Sequence, residues 1–150
     1  MPDFQFIDPG TLVDEELELV LTETKPGDSI IGRVPYYTFD MRVGGRKAGY
    51  IRLRVGNTPD ILMYGGHIGY AVEPEFRGRH YAERASRLIL PLAKAHGLNT
   101  IWITCDPDNI ASRRTIERLG AKLVEIVKVP PYSVYYRAGA RAKCRFRLDI

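Results

Sequence analysis

Residues 69–82 read GYAVEPEFRGRHYA, from Gly69 to Ala82. Gly69-Tyr70-Ala71-Val72 is the end of an apolar strand, and Pro74 turns the chain. The basic loop Arg77-Gly78-Arg79-His80 then opens directly into an amphipathic helix. Tyr81, Ala85, Leu88 and Leu92 mark that helix at spacings of 4, 3 and 4, and Gly97 closes it. A helix start leaves its first backbone N–H groups without internal partners and carries the positive end of the helix dipole. With two guanidinium groups alongside, the stretch predicts an anion site suited to a phosphate or pyrophosphate. Other phosphate-binding glycine patterns are absent. There is no G-x-x-x-x-G-K-[ST], and only Gly78 is present where a dinucleotide fingerprint needs three glycines.

Outward from this segment, period-two alternation predicts strands on both sides. Tyr37, Phe39, Met41 and Val43 share one face of Tyr36–Val43. Gly44-Gly45 supplies a hairpin turn, and Ile51, Leu53 and Val55 face inward on the return strand Tyr50–Val55. Leu17–Thr22 predicts an earlier strand, and Ile61–Val72 a long apolar strand interrupted by Gly65-Gly66. Beyond the helix, Thr100–Cys105 predicts a buried strand. Asn109–Leu119 predicts a second helix closed by Gly120. Lys122–Val127 and Lys143–Leu148 predict two more strands, the last with Lys143, Arg145 and Arg147 facing out. The order gives an α+β fold, a mixed sheet with helices against it.

The chain has 150 residues, 45% hydrophobic and 27% charged, as expected of a single globular domain spanning 1–150. No apolar run approaches the length of a membrane span, and the N-terminus lacks the pattern of a secretory signal, so a cytoplasmic protein is expected. Cys105 and Cys144 read as reduced and buried, and no Cys/His cluster has metal-ligand spacing, so no metal is expected. The net charge of +4 is unevenly spread: residues 1–24 carry seven acids, from Asp3 to Glu23, and no Lys or Arg. Arg137, Arg141, Lys143, Arg145 and Arg147 form the opposite, basic end. Such asymmetry reads either as a polyanion-binding face or as solvated strand faces.

Val72–Ala82 resembles the acetyl-CoA loop of the GNAT (Gcn5-related) N-acetyltransferase superfamily, whose pattern is Gln/Arg-x-x-Gly-x-Gly/Ala. Arg77 takes the first place and Ala82 the last, while His80 stands where the family usually has Gly. Asn109–Ala121 is similar to the family's N-x-x-[AS]…E-x-x-G-[FA] helix, and the two segments together cover about residues 67–127. YGGHIGY and KCRFRLDI also resemble a bacterial subgroup of predicted acetyltransferases.

The resemblance implies a mostly antiparallel central sheet of about 6–7 strands, splayed between the strand ending at Val72 and Thr100–Cys105. Helical content is reduced before the hairpin, because only about Lys25–Val34 is available there. It implies acetyl-CoA as co-substrate. Arg77, Gly78, Arg79, His80, Tyr81 and Ala82 would hold its phosphates, Ala71 and Val72 would pair with the pantetheine arm, and Asn109 would hydrogen-bond that arm. Ser112 would sit near the thioester sulfur. The Tyr that many members use as acid falls at Ile116 here, so that group is missing. His67 and Glu73 are the candidate bases. The acceptor is an amine of a small molecule or peptide, its site drawn from Tyr36, Tyr37, Tyr64 and the tail tyrosines Tyr132, Tyr135 and Tyr136. Homodimer formation is left open, and neither membrane nor nucleic acid is expected as a partner. A coenzyme-binding domain without turnover and a polyanion-binding module are the alternatives.

Overall fold

Gly44 and Gly45, at φ 58° and 76°, make the two-residue turn that sets the register of the hairpin β3 (Tyr36–Val43) and β4 (Arg46–Arg54). Tyr37, Phe39 and Met41 on one strand and Ile51 and Leu53 on the other are fully buried on a single face. The computed structural model describes residues 4–150, so Asp3 of the acidic run lies outside it. β1 (Leu12–Asp14) and β2 (Leu17–Lys25) extend the hairpin on one side and β5 (Ile68–Val72) on the other. The result is an antiparallel sheet in the order β1-β2-β3-β4-β5. Between β2 and β3 the chain forms a loop closed by reciprocal Asp28–Arg33 backbone bonds of 2.8 and 2.9 Å, and no helix intervenes.

The segment expected as one long strand, Ile61–Val72, divides. Ile61–Gly65 forms a π-helical turn, begun where Leu62 N–H donates to the Thr58 carbonyl at 3.0 Å and ended at Gly66, φ 73°. Only Ile68–Val72 enters the sheet. A short apolar run carries the same signal in a buried strand as in a buried helical turn, and Thr58-Pro59-Asp60 starts the turn here.

α1 (Tyr81–Ala95) lays Tyr81, Ala85, Ile89 and Leu92 against the core, with β1, β4 and β5 beneath it. Part of the acidic N-terminal run is used here. Arg84 of α1 is held by Asp14 Oδ2 and Glu16 Oε1, each at 2.6 Å, and this pairing holds the Glu16 carboxyl well below the usual carboxylate range. After β6 (Thr100–Cys105) come α2 (Ile110–Arg118), β7 (Lys122–Lys128), the short α3 (Val134–Arg137) and β8 (Ala142–Asp149). β8 lies between β6 and β7 in a second, antiparallel sheet, in which Cys105 and Cys144 face each other as buried free thiols. Expected to face outward, Arg145 is buried instead. Its guanidinium lies 4.2 Å over the Trp102 ring and donates to the Leu62 carbonyl and to Glu125. Lys143 pairs with Asp106, Arg147 with Asp149, and Arg141 covers the Tyr136 ring, so most of the basic end has internal partners. Among the described residues no helix is long and apolar enough to cross a membrane.

Among the described residues, main-chain hydrogen bonding joins the two sheets at one place. His67 N–H donates to the Trp102 carbonyl at 2.7 Å, and the Trp102 N–H donates to His67 Nδ1 at 2.9 Å. Gly66 permits this approach, because a Cβ there would stand 2.8 Å from the Trp102 carbonyl oxygen. Beyond this contact β5 and β6 share no ladder, and the sheet is open between them.

Candidate functional site

The loop after β5 is fixed at its base and open at its tip. Glu73–Phe76 makes a 3-10 turn with Phe76 buried, and Arg77 Nε donates back to the Val72 carbonyl at 3.0 Å. Gly78 at φ 83° and His80 at φ 61° then swing the chain into α1 through two left-handed residues. His80 occupies a conformation that favours glycine, which accounts for glycine being usual at that place in the pattern. Arg84 N–H makes the first helical bond, to the His80 carbonyl at 2.9 Å. Among the described residues the backbone N–H groups of Gly78, Arg79, His80, Tyr81, Ala82 and Glu83 have no protein acceptor. These are the orphan donors of a helix start, augmented by the loop in front of it.

Four of these residues, Gly78, His80, Tyr81 and Ala82, border a cavity of about 520 Å³ between α1, α2 and the end of β5. Of the residues expected to bind, Ala71, Val72, Arg77, Gly78, His80, Tyr81, Ala82, Asn109 and Ser112 line it, and Arg79 does not. Arg114, Thr115 and Arg118 of α2 complete the wall. Two further arginines thus join Arg77, and no carboxylate lines the cavity. The 3.6-residue period of α2 places positions 114, 115 and 118 on one face, a signal available in the sequence. Asn109 caps α2, its Oδ1 accepting from Ser112 N–H at 3.1 Å, which leaves its amide nitrogen to donate elsewhere.

The β4–β5 register decides which main-chain groups face the opening. Arg54 N–H donates to the His67 carbonyl and Glu73 N–H to the Ala48 carbonyl, so ladder bonds fall on alternate residues, 67, 69, 71 and 73. The main chain of Ala71 is therefore turned toward β4. Tyr70 and Val72 turn theirs toward the gap, where no strand pairs with them.

A second cavity of about 240 Å³ opens on the other side of the gap, lined by Tyr50, Arg54, Tyr64, Asp106, Tyr135 and Lys143 among others. Tyr70, Asn109 and Ser112 line both cavities. At that junction the Tyr70 hydroxyl lies 2.8 Å from Ser112 Oγ, and burial pushes the phenol up to about 12. Tyr70 was not singled out from the sequence, because its partner lies 42 residues away and no motif links the two.

The two expected bases stand apart from this junction. His67 lines neither cavity; it is fully buried, with Nδ1 accepting from Trp102 and Nε2 bonded to Asn57 Oδ1 at 2.9 Å. Burial, assisted by the nearby Arg54 charge, pushes its pKa down to about 4. Both nitrogens are engaged, so the geometry makes His67 a clamp between the sheets rather than a base. Glu73 is exposed, starts the 3-10 turn and lines neither cavity. Asp106 is the carboxylate that reaches the second cavity. Of the tyrosines expected around the acceptor, Tyr64 and Tyr135 line that cavity. Tyr37 is core, with its hydroxyl 2.6 Å from His96 Nε2, Tyr36 stacks under Arg52, and Tyr132 is 80% exposed. Tyr136 is covered by Arg141. Among the described residues no three His, Cys, Asp or Glu side chains gather as a metal would require.

Comparison with known proteins gives this geometry relatives. Residues 11–122 match the acetyltransferase (GNAT) domain family. The uncharacterized N-acetyltransferase YnaD of Bacillus subtilis is 31% identical over 72 residues, which cover 45% of this chain and 42% of that protein. RimL, a ribosomal L7/L12 alpha-N-protein acetyltransferase solved in complex with coenzyme A, superposes with a TM-score of 0.67 at 13% identity, covering 93% of this chain and 98% of RimL. The microcin C7 self-immunity acetyltransferase MccE, solved with acetyl-CoA and AMP, gives a TM-score of 0.60 at 17% identity, covering 77% of this chain and 61% of MccE. At these identities the two structures establish a common fold.

Proposed function

The chain belongs to the GNAT acetyltransferase family, and from that premise we propose that it is an acetyl-CoA-dependent N-acetyltransferase acting directly on a primary amine, as a single domain. The observation that carries the reading is the run of unpartnered backbone N–H groups from Gly78 to Glu83, of which Gly78, His80, Tyr81 and Ala82 line a cavity walled by arginines and free of carboxylates. Such a cradle suits a diphosphate, since the donors are preorganised and the dipole of α1 adds to them. Arg77, Arg114 and Arg118 would neutralise the phosphates, and the free main chain of Tyr70 and the Val72 N–H with the Asn109 amide would hold the pantetheine arm. The coenzyme supplies an activated acetyl thioester.

The chain's residues then position the reactants and hydrogen-bond the leaving group. The acceptor nitrogen comes through the second cavity to the junction, so that both substrates meet across the gap between β5 and β6. Holding the two together makes the attack effectively intramolecular. A C–N bond forms, the C–S bond breaks, and the amine proton passes to Asp106 or solvent. The Tyr70 phenol at about 12 holds its proton more tightly than a thiol of about 8.5 does. Tyr70 and Ser112 therefore stabilise the departing thiolate by hydrogen bonding, without full proton transfer.

Calorimetric titration with CoA, followed by thiol release from acetyl-CoA over a panel of amines, tests the reading. Arg114→Ala and Arg118→Ala are each expected to weaken CoA by about 10-fold, the scale of one charge-assisted hydrogen bond, whereas Arg79→Ala leaves affinity near wild type. Unchanged affinity in the Arg114 and Arg118 variants, or no CoA binding by the wild type, would overturn it.

A further inference from the structure

The second cavity contains a guanidinium that no carboxylate balances and a carboxylate held by one lysine. Arg54 projects from β4 on the face opposite Leu53, and its guanidinium lies against Gly69, where a Cβ would stand 3.2–3.3 Å from its nitrogens. Nη1 donates to the carbonyls of Gly65 and Gly66, both at 3.2 Å. Among the described residues Nε and Nη2 have no acceptor, and no carboxylate pairs with Arg54. Burial pushes its pKa down, as for a charge short of compensation. The carboxylate is that of Asp106, which is half-exposed, lines the cavity and has its Oδ1 2.9 Å from Lys143 Nζ.

A half-buried guanidinium with no acid to balance it favours an anion beside it. Arg54 shares with Asp106 one cavity of about 240 Å³, smaller than the pockets that take drug-sized ligands. Tyr50, Tyr64 and Tyr135 wall it, and Tyr135 closes over Gly65, where a Cβ would collide with its hydroxyl. We infer that this cavity receives a small primary amine that also carries a carboxylate, of amino-acid size. Its carboxylate lies against the free edge of Arg54, and its amine against Asp106, beside Tyr70 and Ser112. The inference rests on the transferase reading above and narrows its acceptor to a zwitterion.

The test compares acceptors that differ only in the carboxylate: glycine with methylamine, alanine with ethylamine, tyrosine with tyramine. Thiol release from acetyl-CoA is followed on the full chain, with CoA binding measured in the same preparations. At least one carboxylated member is expected to exceed its decarboxylated partner in kcat/KM by about 10- to 100-fold, the range for hydrogen bonds to charged groups. Arg54→Gln is expected to erase that preference, mainly by raising KM for the carboxylated member more than for its plain-amine partner. Equal turnover within every pair, or an equal loss for both members in Arg54→Gln, overturns the inference and leaves the transferase reading standing. If CoA binds but neither kind of amine is acetylated, the inference and the transferase reading fall together. Should Arg54→Gln fail to fold, the wild-type pairs still decide.

Discussion

Acidification tests the clamp at His67. Its imidazole is fully buried, and its pKa is about 4, against about 6.5 for the unfolded chain. Between these values the unfolded chain binds a proton that the folded chain refuses, so stability rises with pH across the window. The contribution is therefore complete above about pH 6.5 and is lost as pH falls toward 4, a difference of about 3 kcal/mol at ~1.4 kcal/mol per pH unit. Protonating Nδ1 would also remove the acceptor of the Trp102 N–H and strain the main-chain contact between the two sheets. Urea unfolding followed by Trp102 fluorescence between pH 7.5 and 4.5 measures the loss. His96, also pushed down by burial, acts in the same direction, so the residue is resolved by NMR of the imidazole nitrogens. At pH 5.5 His67 is expected to be neutral with its proton on Nε2, since Nδ1 accepts from Trp102 and Nε2 faces Asn57 Oδ1. A His67 that titrates near 6.5, or that carries its proton on Nδ1, would refute the reasoning.

Tyr70→Phe removes the hydroxyl at the junction, and kcat is expected to fall by about 10- to 100-fold, with CoA affinity unchanged in calorimetry; an unchanged kcat would remove Tyr70 from the reaction. At position 80, where φ is 61°, His80→Gly is expected to be more stable than His80→Ala by about 1 kcal/mol in chemical denaturation. The order is the reverse of that in a helix interior, and an Ala variant as stable as the Gly variant would show that the loop relaxes out of the left-handed conformation.

Much of the scaffold is legible because it is periodic. β3, β6, α1 and α2 each carry at least two repeats of their own period, and their ends are marked by Gly44-Gly45, Asn109, Gly97 and Gly120. β1 has only three residues, too few for alternation to register. Ile61–Gly65 is apolar on every side and carries no period, so its helical turn could be read only from Thr58-Pro59-Asp60. That turn also decides His67: the chain leaves Gly66 at a positive φ, and the imidazole is directed into the inter-sheet contact instead of toward a substrate. The loop Arg77–His80 was legible as a cradle because its chemistry is local. The Tyr70–Ser112 contact, and the meeting of Arg54 and Asp106 in one cavity lining, are made by tertiary folding, and no sequence spacing announces them.

The absence of a hydroxyl at position 116 follows from the same packing. Ile116 is fully buried, one turn beyond Ser112, and belongs to the core between α2 and the sheets. A tyrosine there would overfill that core. The strand offers another route to the junction. Tyr70 sits on β5, whose main chain is free toward the gap, and its phenol reaches Ser112 from the side opposite to α2. A hydrogen-bond donor carried on the strand shares β5 with the main-chain groups proposed to hold the thioester arm, so β5 alone sets their relative position. Placing the donor on the helix would make that distance depend on the width of the gap.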